Sequence, residues 1–226
     1  MKIIFVRHGH PNYADDCLTP LGRRQARAAA ERLKDAKIDR FYSSSCGRAY
    51  ETACYIAELH GGAEVEKLDF MREISWGIEG TSDHTHPWDL ADRRVAEGKD
   101  VMDRDWQNDP DYAGHTLLRS YLAVAAAFDR WLDELGYRRE GNYYRVTREN
   151  RDVLLLASHG GSSSAVLAHA FGLPFGFVCH ALRPGFTAIT EVCLEGEVGA
   201  LISPTFLLAN DIEHIKSLSD PSDYNN

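Results

Sequence analysis

The sequence predicts an α/β fold that is built around a largely parallel sheet. Short apolar runs alternate with segments of helical periodicity along the chain of 226 residues. Two of these runs, at 2–6 and 152–157, are almost continuously apolar, which is typical of strands buried on both faces. Strands that alternate with helices indicate βαβ units, and such units pair their strands in parallel.

The strand at 2–6 is followed by a helix with two clear signals at its start. Thr19 has the side chain of a helix cap, and Pro20 suits the first helical position. The remaining periodicity predicts strands at 40–44, 64–68 and 152–157, and helices through 49–56, 87–97, 117–135 and 161–171. Apolar runs at 187–194 and 200–208 predict a hairpin at one edge of the sheet. The last dozen residues are polar and are expected to form a loosely held tail.

The composition excludes several classes of protein. With 44% hydrophobic and 26% charged residues, the chain is neither disordered nor fibrous. Its 25 basic and 34 acidic side chains give a net charge of −9, whereas binding to nucleic acid or to an anionic membrane requires clustered positive charge. We therefore expect neither partner. The sequence contains no signal for the oligomeric state.

The apolar runs and the cysteines indicate the compartment. No run approaches the roughly 18 residues of a membrane span, and the N-terminus lacks the apolar core of a signal peptide. The five cysteines are scattered without a CxxC pair, which is typical of free thiols in a reducing compartment. We therefore expect a cytoplasmic protein.

The stretch at about 81–115 interrupts the regular pattern and contains one predicted helix. A long excursion in a compact domain is typically a lid or a binding segment. Its His84-Thr85-His86 has the spacing of a metal pair, but a short His-x-His in a polar loop is more typical of a surface, and we predict no metal site. Most aromatic residues of the stretch are expected to pack it onto the body of the protein.

Histidines follow two of the predicted strands. Arg7-His8-Gly9 ends the first strand, and His159-Gly160 follows the strand at 152–157. In open α/β sheets, ligands bind at the carboxyl ends of the strands. A glycine there lets the backbone approach a ligand closely, and the helix that begins after His159 favours a bound anion at its N-terminus.

Two more segments bring polar groups to the same edge. The segment 43–48 supplies hydroxyl groups and the Arg48 guanidinium, which suits forked hydrogen bonds to phosphate oxygens. The turn at 72–80 supplies carboxyl groups. Together these groups can handle a phosphate monoester, because an imidazole can attack phosphorus, cations can hold the oxyanion and a carboxylic acid can protonate the leaving alkoxide. No metal or cofactor is required when arginines supply the charge.

Arg7-His8-Gly9 after an N-terminal strand resembles the signature of the histidine phosphatase superfamily, the phosphoglycerate mutase-like proteins. The resemblance continues in the family's order through 18–22, 48–53, 73–80 and 158–161, and it spans about 1–195. It implies a three-layer α/β/α sandwich with a mainly parallel central sheet. It also implies a single domain over 1–226, with an insertion-like or lid-like excursion at about 81–115.

The resemblance also implies the catalytic residues. They come from the ends of the two strands and from the segments 43–48 and 72–80, and they are His8, Glu73, His159, Arg7 and Arg48. His8 is implied to be the nucleophile, and Glu73 the proton donor and then the base for water. His159 and the two arginines are implied to form the phosphate pocket.

Five further residues are expected to contact the substrate: Gly9, Asn12, Gly160, His10 and His115. The Gly9 carbonyl is implied to fix the tautomer of the preceding imidazole, and the family often has an Asn soon after its Arg-His-Gly. His10 and His115 depart from the pattern, since the family commonly has Glu at both positions. We hypothesise that one of the two lines the entrance and favours an anionic or polar leaving group.

The leading hypothesis is a metal-independent phosphomonoester hydrolase that acts through phospho-His8 on a small phosphorylated metabolite. The short segment between Gly9 and Thr19, followed by Leu-Thr-Pro-Leu-Gly, resembles the phosphatase members of the family, whereas cofactor-dependent mutases usually carry a longer segment there. The alternatives are a phosphoglycerate mutase-type phosphotransferase, a non-catalytic module that binds a phosphorylated ligand, and a metallohydrolase. The physiological substrate is not encoded in any of these motifs.

Overall fold

The computed structural model describes residues 1–112 and 114–218. Over these residues the strands, in chain order, are β1 (Lys2–Arg7), β2 (Pro11–Asn12), β3 (Cys17–Leu18), β4 (Arg40–Ser44), β5 (Val65–Leu68), β6 (Tyr137–Glu140), β7 (Tyr143–Val146), β8 (Val153–Ser158), β9 (Ile189–Cys193), β10 (Leu201–Ile202) and β11 (Thr205–Asp211). The helices are α1 (Pro20–Leu33), α2 (Gly47–Glu58), α3 (Pro87–Ala96), α4 (Thr116–Glu134), α5 (Gly160–Phe171) and α6 (Phe175–Ala181).

The central sheet has six strands in the order β11-β9-β1-β8-β4-β5. The pairs β1–β8, β8–β4 and β4–β5 are parallel, whereas β9 and β11 extend the sheet through antiparallel pairing. The prediction of an α/β fold with a mainly parallel central sheet is confirmed.

Helices cover both faces of this sheet. Side chains alternate between the two faces along each strand, and those of β1 are apolar on both faces. On β1, Ile3 and Phe5 belong to a core cluster that includes side chains of α4 and α5. Ile4 and Val6 belong to a second cluster with side chains of α1 and α2. The two cores lie on opposite faces of the sheet, so that the sheet and the helices on each side of it form the three layers of the sandwich.

Helix α1 starts where its sequence signals place it. The Thr19 hydroxyl accepts a hydrogen bond from the Gly22 N–H at 3.1 Å, and Pro20 occupies the first turn. Its buried face is rich in alanine and ends at Leu33, which packs in the second core cluster. Near the start of the helix, Gly22 allows α1 to lie close to the loop that follows β1.

The structure contains a second, three-stranded sheet that the sequence analysis does not predict. Because part of the predicted hairpin at 187–194 and 200–208 belongs to this sheet, the hairpin prediction is partly wrong. β6 and β7 pair around Gly141-Asn142, and β10 pairs with β7. Of the predicted 200–208 run, Leu201–Ile202 therefore lies in the small sheet, and β9 pairs instead with β11. Pro204 separates β10 from β11, because it has no N–H to donate to a continuous ladder.

The excursion at 81–115 packs against α4 and α6 and contributes to the main core. Its helix α3 matches the helix predicted at 87–97. Trp106 and Tyr112 are buried and pack against each other, and Trp106 also packs against Tyr121, as the sequence suggested for most aromatic residues of this stretch. Trp88, by contrast, is only half-buried.

The C-terminal part of the described chain ends in a 3-10 turn at Glu213–Ile215, whose Ile215 is buried. The rest of the predicted tail from 219 onward lies outside the described residues. None of the helices in 1–112 and 114–218 is long and apolar enough to cross a membrane.

Candidate active site

Three neighbouring strands bring polar side chains to one edge of the central sheet. β8 lies between β1 and β4, and Arg7 at the end of β1 is in register with Ser158 at the end of β8. His8 and His159 each follow the last residue of their strand, and Arg48 lies in the first turn of α2 after β4. Because the three strands are parallel, all of these side chains meet at their carboxyl ends.

His8 is a buried, neutral imidazole with a fixed tautomer. Its Nδ1 lies 2.7 Å from the Gly9 carbonyl oxygen. A carbonyl can only accept, so Nδ1 carries the proton and Nε2 keeps its lone pair. Burial lowers the pKa of His8 well below its ordinary value, and the neighbouring Arg7 and His159 lower it further. The free Nε2 lone pair is what a nucleophile requires.

His159 faces His8, with the ring centroids 5.1 Å apart and the planes inclined by 63°. Its Nε2 lies 2.9 Å from the Ser44 hydroxyl, and its Nδ1 is buried without a hydrogen-bond partner among the described residues. Burial, reinforced by the Arg48 charge, lowers the pKa of His159 to about 3. A bound dianion would raise this pKa, because it favours the charged imidazole.

Each of the two guanidinium groups is held through Nη1, whereas its buried Nε has no hydrogen-bond partner among the described residues. Nη1 of Arg7 donates to the Pro184 carbonyl at 2.7 Å, and its guanidinium lies 4.3 Å from the centroid of the Phe186 ring. Nη1 of Arg48 donates to Asp16 at 2.5 Å. Both arginines lower the pKa of His8, which places their charges beside the imidazole.

Three buried nitrogen atoms of this cluster have no partner within the described part of the chain: Nε of Arg7, Nε of Arg48 and Nδ1 of His159. Buried polar atoms are rarely left unpaired in folded proteins. An oxyanion with several acceptor oxygens would satisfy the guanidinium groups and an imidazole N–H together. The cluster therefore has the composition and the unmet hydrogen-bonding capacity of a phosphate site.

Asp16 positions Arg48, and sequence reasoning missed it. Its carboxylate accepts from the Gly47 backbone N–H at 2.7 Å as well as from Arg48. Partial burial alone would raise the pKa of Asp16, but these two donors outweigh it and lower the pKa. Asn12 shapes the same loop, since its side-chain oxygen accepts from the backbone N–H groups of Ala14 and Asp15. No sequence signal connects this loop to α2.

Glu73 reaches the site from the turn after β5 and lies at the N-terminus of α5. Its two carboxyl oxygens accept from the backbone N–H groups of Gly161 at 3.3 Å and Ser162 at 2.9 Å. Burial raises the pKa of Glu73, and it outweighs these hydrogen bonds and the nearby Arg7 charge, which lower it. A carboxyl group with a raised pKa suits a proton donor.

The other predicted contact residues take varied positions. The Gly9 N–H donates to Thr52 at 3.1 Å, which fixes the loop after β1. Nδ1 of His10 forms a hydrogen bond with the Thr19 hydroxyl at 3.0 Å, and the His10 ring lies against Phe186. His115 occupies the N-cap position of α4 without a capping hydrogen bond from its side chain, is 6% exposed, and its Nδ1 has no partner within 1–112 and 114–218.

Three aromatic side chains lie beside the site, and of these the sequence had pointed only to Trp88, as one of a set that could line a cleft. Phe186 lies 6.0 Å from His8 and 5.3 Å from His10 between ring centroids, beneath the Arg7 guanidinium. Tyr13 lies 5.3 Å from the Arg48 guanidinium. Trp88 lies against Gly160 at the start of α5. Tyr13 and Phe186 come from two loops and Trp88 from the first turn of α3, so only the folded structure brings them together.

The described residues contain no group of three or more His, Cys, Asp or Glu side chains arranged to hold a metal ion. The five cysteines, all within these residues, are free. Arg7 and Arg48 supply positive charge at this edge of the sheet.

The sequence profile of the histidine phosphatase superfamily (branch 1) matches residues 3–203. The chain belongs to this superfamily. It is 29% identical over 213 residues to the putative phosphoserine phosphatase 2 of Hydrogenobacter thermophilus, with 89% of this chain and 93% of that protein covered. It is 30% identical over 184 residues to a glucosyl-3-phosphoglycerate phosphatase of Mycobacterium tuberculosis, with 76% of each covered. A probable phosphoglycerate mutase GpmB of Proteus mirabilis is 24% identical over 236 residues, with 97% of each covered.

Solved structures share the fold. A phosphoserine phosphatase mutant from Entamoeba histolytica in complex with phosphoserine matches with a TM-score of 0.64 and 22% identity, over 95% of this chain and 98% of that chain. A mycobacterial glucosyl-3-phosphoglycerate phosphatase with inorganic phosphate matches with a TM-score of 0.62 and 26% identity, over 95% and 99%. The prediction of a histidine phosphatase-type enzyme with a phosphoglycerate mutase-like fold is confirmed.

Proposed function

We propose that the protein is a metal-independent phosphomonoester hydrolase that acts through a phosphohistidine at His8 on a small phosphorylated metabolite. The observation that carries the proposal is the pair of facing imidazoles flanked by two guanidinium groups with buried, unpartnered nitrogens. Phosphatases among the relatives, such as the glucosyl-3-phosphoglycerate phosphatase, support the hydrolase over other activities of the family.

The first step is attack by Nε2 of His8 on phosphorus. The P–N bond forms as the bond to the ester oxygen breaks, and the electron pair of that bond leaves with the alkoxide. Arg7, Arg48 and His159 hold the phosphoryl oxygens, whose charge persists in the transition state. The hydrogen bond from Nδ1 to the Gly9 carbonyl stabilises the positive charge that develops on the ring.

Glu73 moves the proton in both steps. Its acid form protonates the departing alkoxide, and its carboxylate then removes a proton from the water that attacks phospho-His8. Hydrolysis releases inorganic phosphate and restores the neutral imidazole and the carboxylic acid. The raised pKa of Glu73 supports this role, since the acid form must be present at the start of the cycle.

A phosphoglycerate mutase-type phosphotransferase is the second candidate, and the similarity to a probable mutase favours it specifically. A mutase would return the phosphoryl group from His8 to a sugar acid instead of to water. Incubation with 3-phosphoglycerate separates the two, because a mutase yields an isomer and a phosphatase yields free phosphate. We expect no isomer, and any product released is free phosphate.

The proposal is tested with a generic aryl phosphate. The wild-type protein is expected to release phosphate in excess EDTA, and the H8A variant is expected to lose this activity. Loss of activity in EDTA would support a metallohydrolase instead. Activity that persists in H8A would contradict the phosphohistidine route, and an inactive wild-type protein would support a binding module.

The same observations support proposals about the cofactor, the partner and the compartment of the enzyme. Two guanidinium groups supply the positive charge, so the proposed reaction needs no cofactor, and the partner is the phosphorylated substrate. We propose the cytoplasm as the compartment, where five free thiols stay reduced. We also propose that the segment at about 81–115 is an insertion in a single domain and forms the rim of the pocket.

A further inference from the structure

Three aromatic rings form a column at the start of α3. The His86 imidazole lies between two indoles, with its centroid 4.1 Å from that of Trp76 and 4.6 Å from that of Trp88. His86 occupies the N-cap position of α3 without a capping hydrogen bond, and the buried Pro87 occupies the first helical position between His86 and Trp88. Because proline fixes the backbone there, the two rings on either side of it are held in a defined relation.

The column begins beside the phosphate site. A Cβ atom built on Gly160 would lie 3.0 Å from Cζ2 of Trp88 and 3.7 Å from Nε of Arg7. A larger residue at this position would push the indole away from the first turn of α5 by a few tenths of an ångström. Trp88 therefore connects His86 to the unpartnered edge of the Arg7 guanidinium, where the phosphoryl group of a substrate is proposed to bind.

His86 has hydrogen-bonding capacity that the protein does not use. Both neighbours of its ring are aromatic, and neither ring nitrogen has a hydrogen-bond partner within 1–112 and 114–218. Burial lowers the pKa of His86, and the Arg7 charge adds to this against the opposing effect of Asp89. A neutral imidazole has one hydrogen-bond donor and one acceptor. It can form hydrogen bonds with hydroxyl groups, and no charged group has to be desolvated for them to form.

The charges around His86 disfavour an anionic leaving group. They are the Asp89 carboxylate and Arg7, and Arg7 belongs to the phosphate site. A carboxylate on a leaving group beside His86 would be repelled by Asp89, and Arg7, the cation whose charge acts on His86, is already engaged by the phosphoryl group in the proposed complex. A neutral ring, by contrast, can place an apolar face against an indole and a hydroxyl group against the imidazole.

We infer that His86 binds the leaving group of the substrate and that this group is a neutral ring that carries hydroxyl groups. A hexose phosphate and a nucleoside monophosphate share this chemistry. The inference rests on the phosphatase function proposed above and narrows its substrate class. It differs from an activity on phosphoserine or 3-phosphoglycerate, whose leaving groups carry a carboxylate.

The test measures kcat and KM for glucose 6-phosphate, adenosine monophosphate, phosphoserine and p-nitrophenyl phosphate. The wild-type protein is expected to prefer one or both of the first two esters over phosphoserine by about tenfold or more in kcat/KM. The H86F variant keeps an aromatic ring in the column but has no nitrogen. It is expected to raise KM for the preferred ester about tenfold, the effect of one lost hydrogen bond, and to raise KM more than it lowers kcat.

Two further variants separate binding from structure. H86Q keeps a donor and an acceptor and is expected to restore KM toward that of the wild-type protein, whereas H84A changes an exposed histidine of the same loop and is expected to leave all values unchanged. A preference for phosphoserine, or an H86F variant with wild-type KM for every ester, would overturn the inference while the phosphatase function stands. A wild-type protein that hydrolyses none of the four esters would overturn the phosphatase function and the inference together.

Discussion

The ionisation of His8 and Glu73 sets the pH range of the proposed first step. The folded pKa of His8 lies below its ordinary value of about 6.5, so the nucleophile gains a proton only at lower pH. The folded pKa of Glu73 lies above its ordinary value, so the acid form is lost as pH rises through that raised pKa. A bell-shaped profile of kcat/KM with its maximum on the acid to neutral side is therefore expected. A profile that stays flat to about pH 9 would require a different acid.

Replacement of Glu73 by Gln tests the proton donor through the leaving group. An alkyl phosphate needs protonation of its alkoxide, whereas p-nitrophenolate leaves readily without it. E73Q is expected to lower kcat on an alkyl phosphate by about 10²–10⁴-fold, and to slow the first step much less on p-nitrophenyl phosphate. An equal loss of the first step on both esters, measured by rapid mixing, would contradict the acid role of Glu73.

At the residue scale, the sequence was most informative where function and strand ends coincide. His8 and His159 could be placed at one edge because each follows an apolar strand directly. Asp16, His86 and Phe186 could not be placed there, since each reaches the site through a loop whose path depends on tertiary packing.

The backbone of helix α1 lies close to the backbone of the loop after β1. A substitution at this contact tests how tightly the elements around the site are packed. A Cβ atom on Gly22 would lie 2.2 Å from the His10 carbonyl oxygen. Gly to Ala in a helix interior normally stabilises by roughly 0.5–1 kcal/mol, but here the clash is with backbone. G22A is expected to lower the free energy of unfolding by about 1–3 kcal/mol and to lower kcat by displacing the loop.

The matched control for this change is R24A, which alters an exposed side chain on the same helix. It is expected to change the free energy of unfolding by no more than about 0.5 kcal/mol. Urea unfolding and steady-state kinetics of both variants check the prediction. A G22A variant as stable as the wild-type protein would show that α1 is not confined by the loop.

Elements with strong periodicity were predictable, and short polar ones were not. Helix α4 was clear because its apolar stripe runs over five turns, and its buried residues follow that stripe. The β6–β7 hairpin was missed because arginines and glutamate dominate its strands, although Tyr137 and Tyr144 alternate into the main core. The Gly141-Asn142 pair between them was the signal that could have revealed it.

The molecule as a whole buries several imidazoles in their neutral form, which couples its stability to pH. Burial lowers the pKa values of His8, His86, His159 and His214. Below about pH 6.5 the unfolded chain binds protons that the folded chain does not, so stability falls as the pH falls from this value toward the folded pKa values. Each such group contributes up to about 1.4 kcal/mol per pH unit. The raised pKa of Glu73 opposes this effect only partly.

Thermal melting between about pH 7.5 and 5 checks this expectation. The melting temperature should fall over this range, and H8N, which removes one of the buried imidazoles, should show a shallower fall. Inorganic phosphate should reduce the loss, because a bound anion favours the protonated form of His159. A melting temperature that rises as the pH falls would contradict the buried neutral imidazoles.

The most direct test of the proposed chemistry is to trap the covalent intermediate. The wild-type protein is mixed with p-nitrophenyl phosphate, quenched in alkali, which preserves phosphohistidine, and digested for mass spectrometry. We predict one phosphoryl group on the peptide that contains His8 and none on the same peptide from the H8A variant. A phosphoryl group on any other residue, or turnover of the ester with no phosphorylated peptide at any quench time, would contradict catalysis through His8.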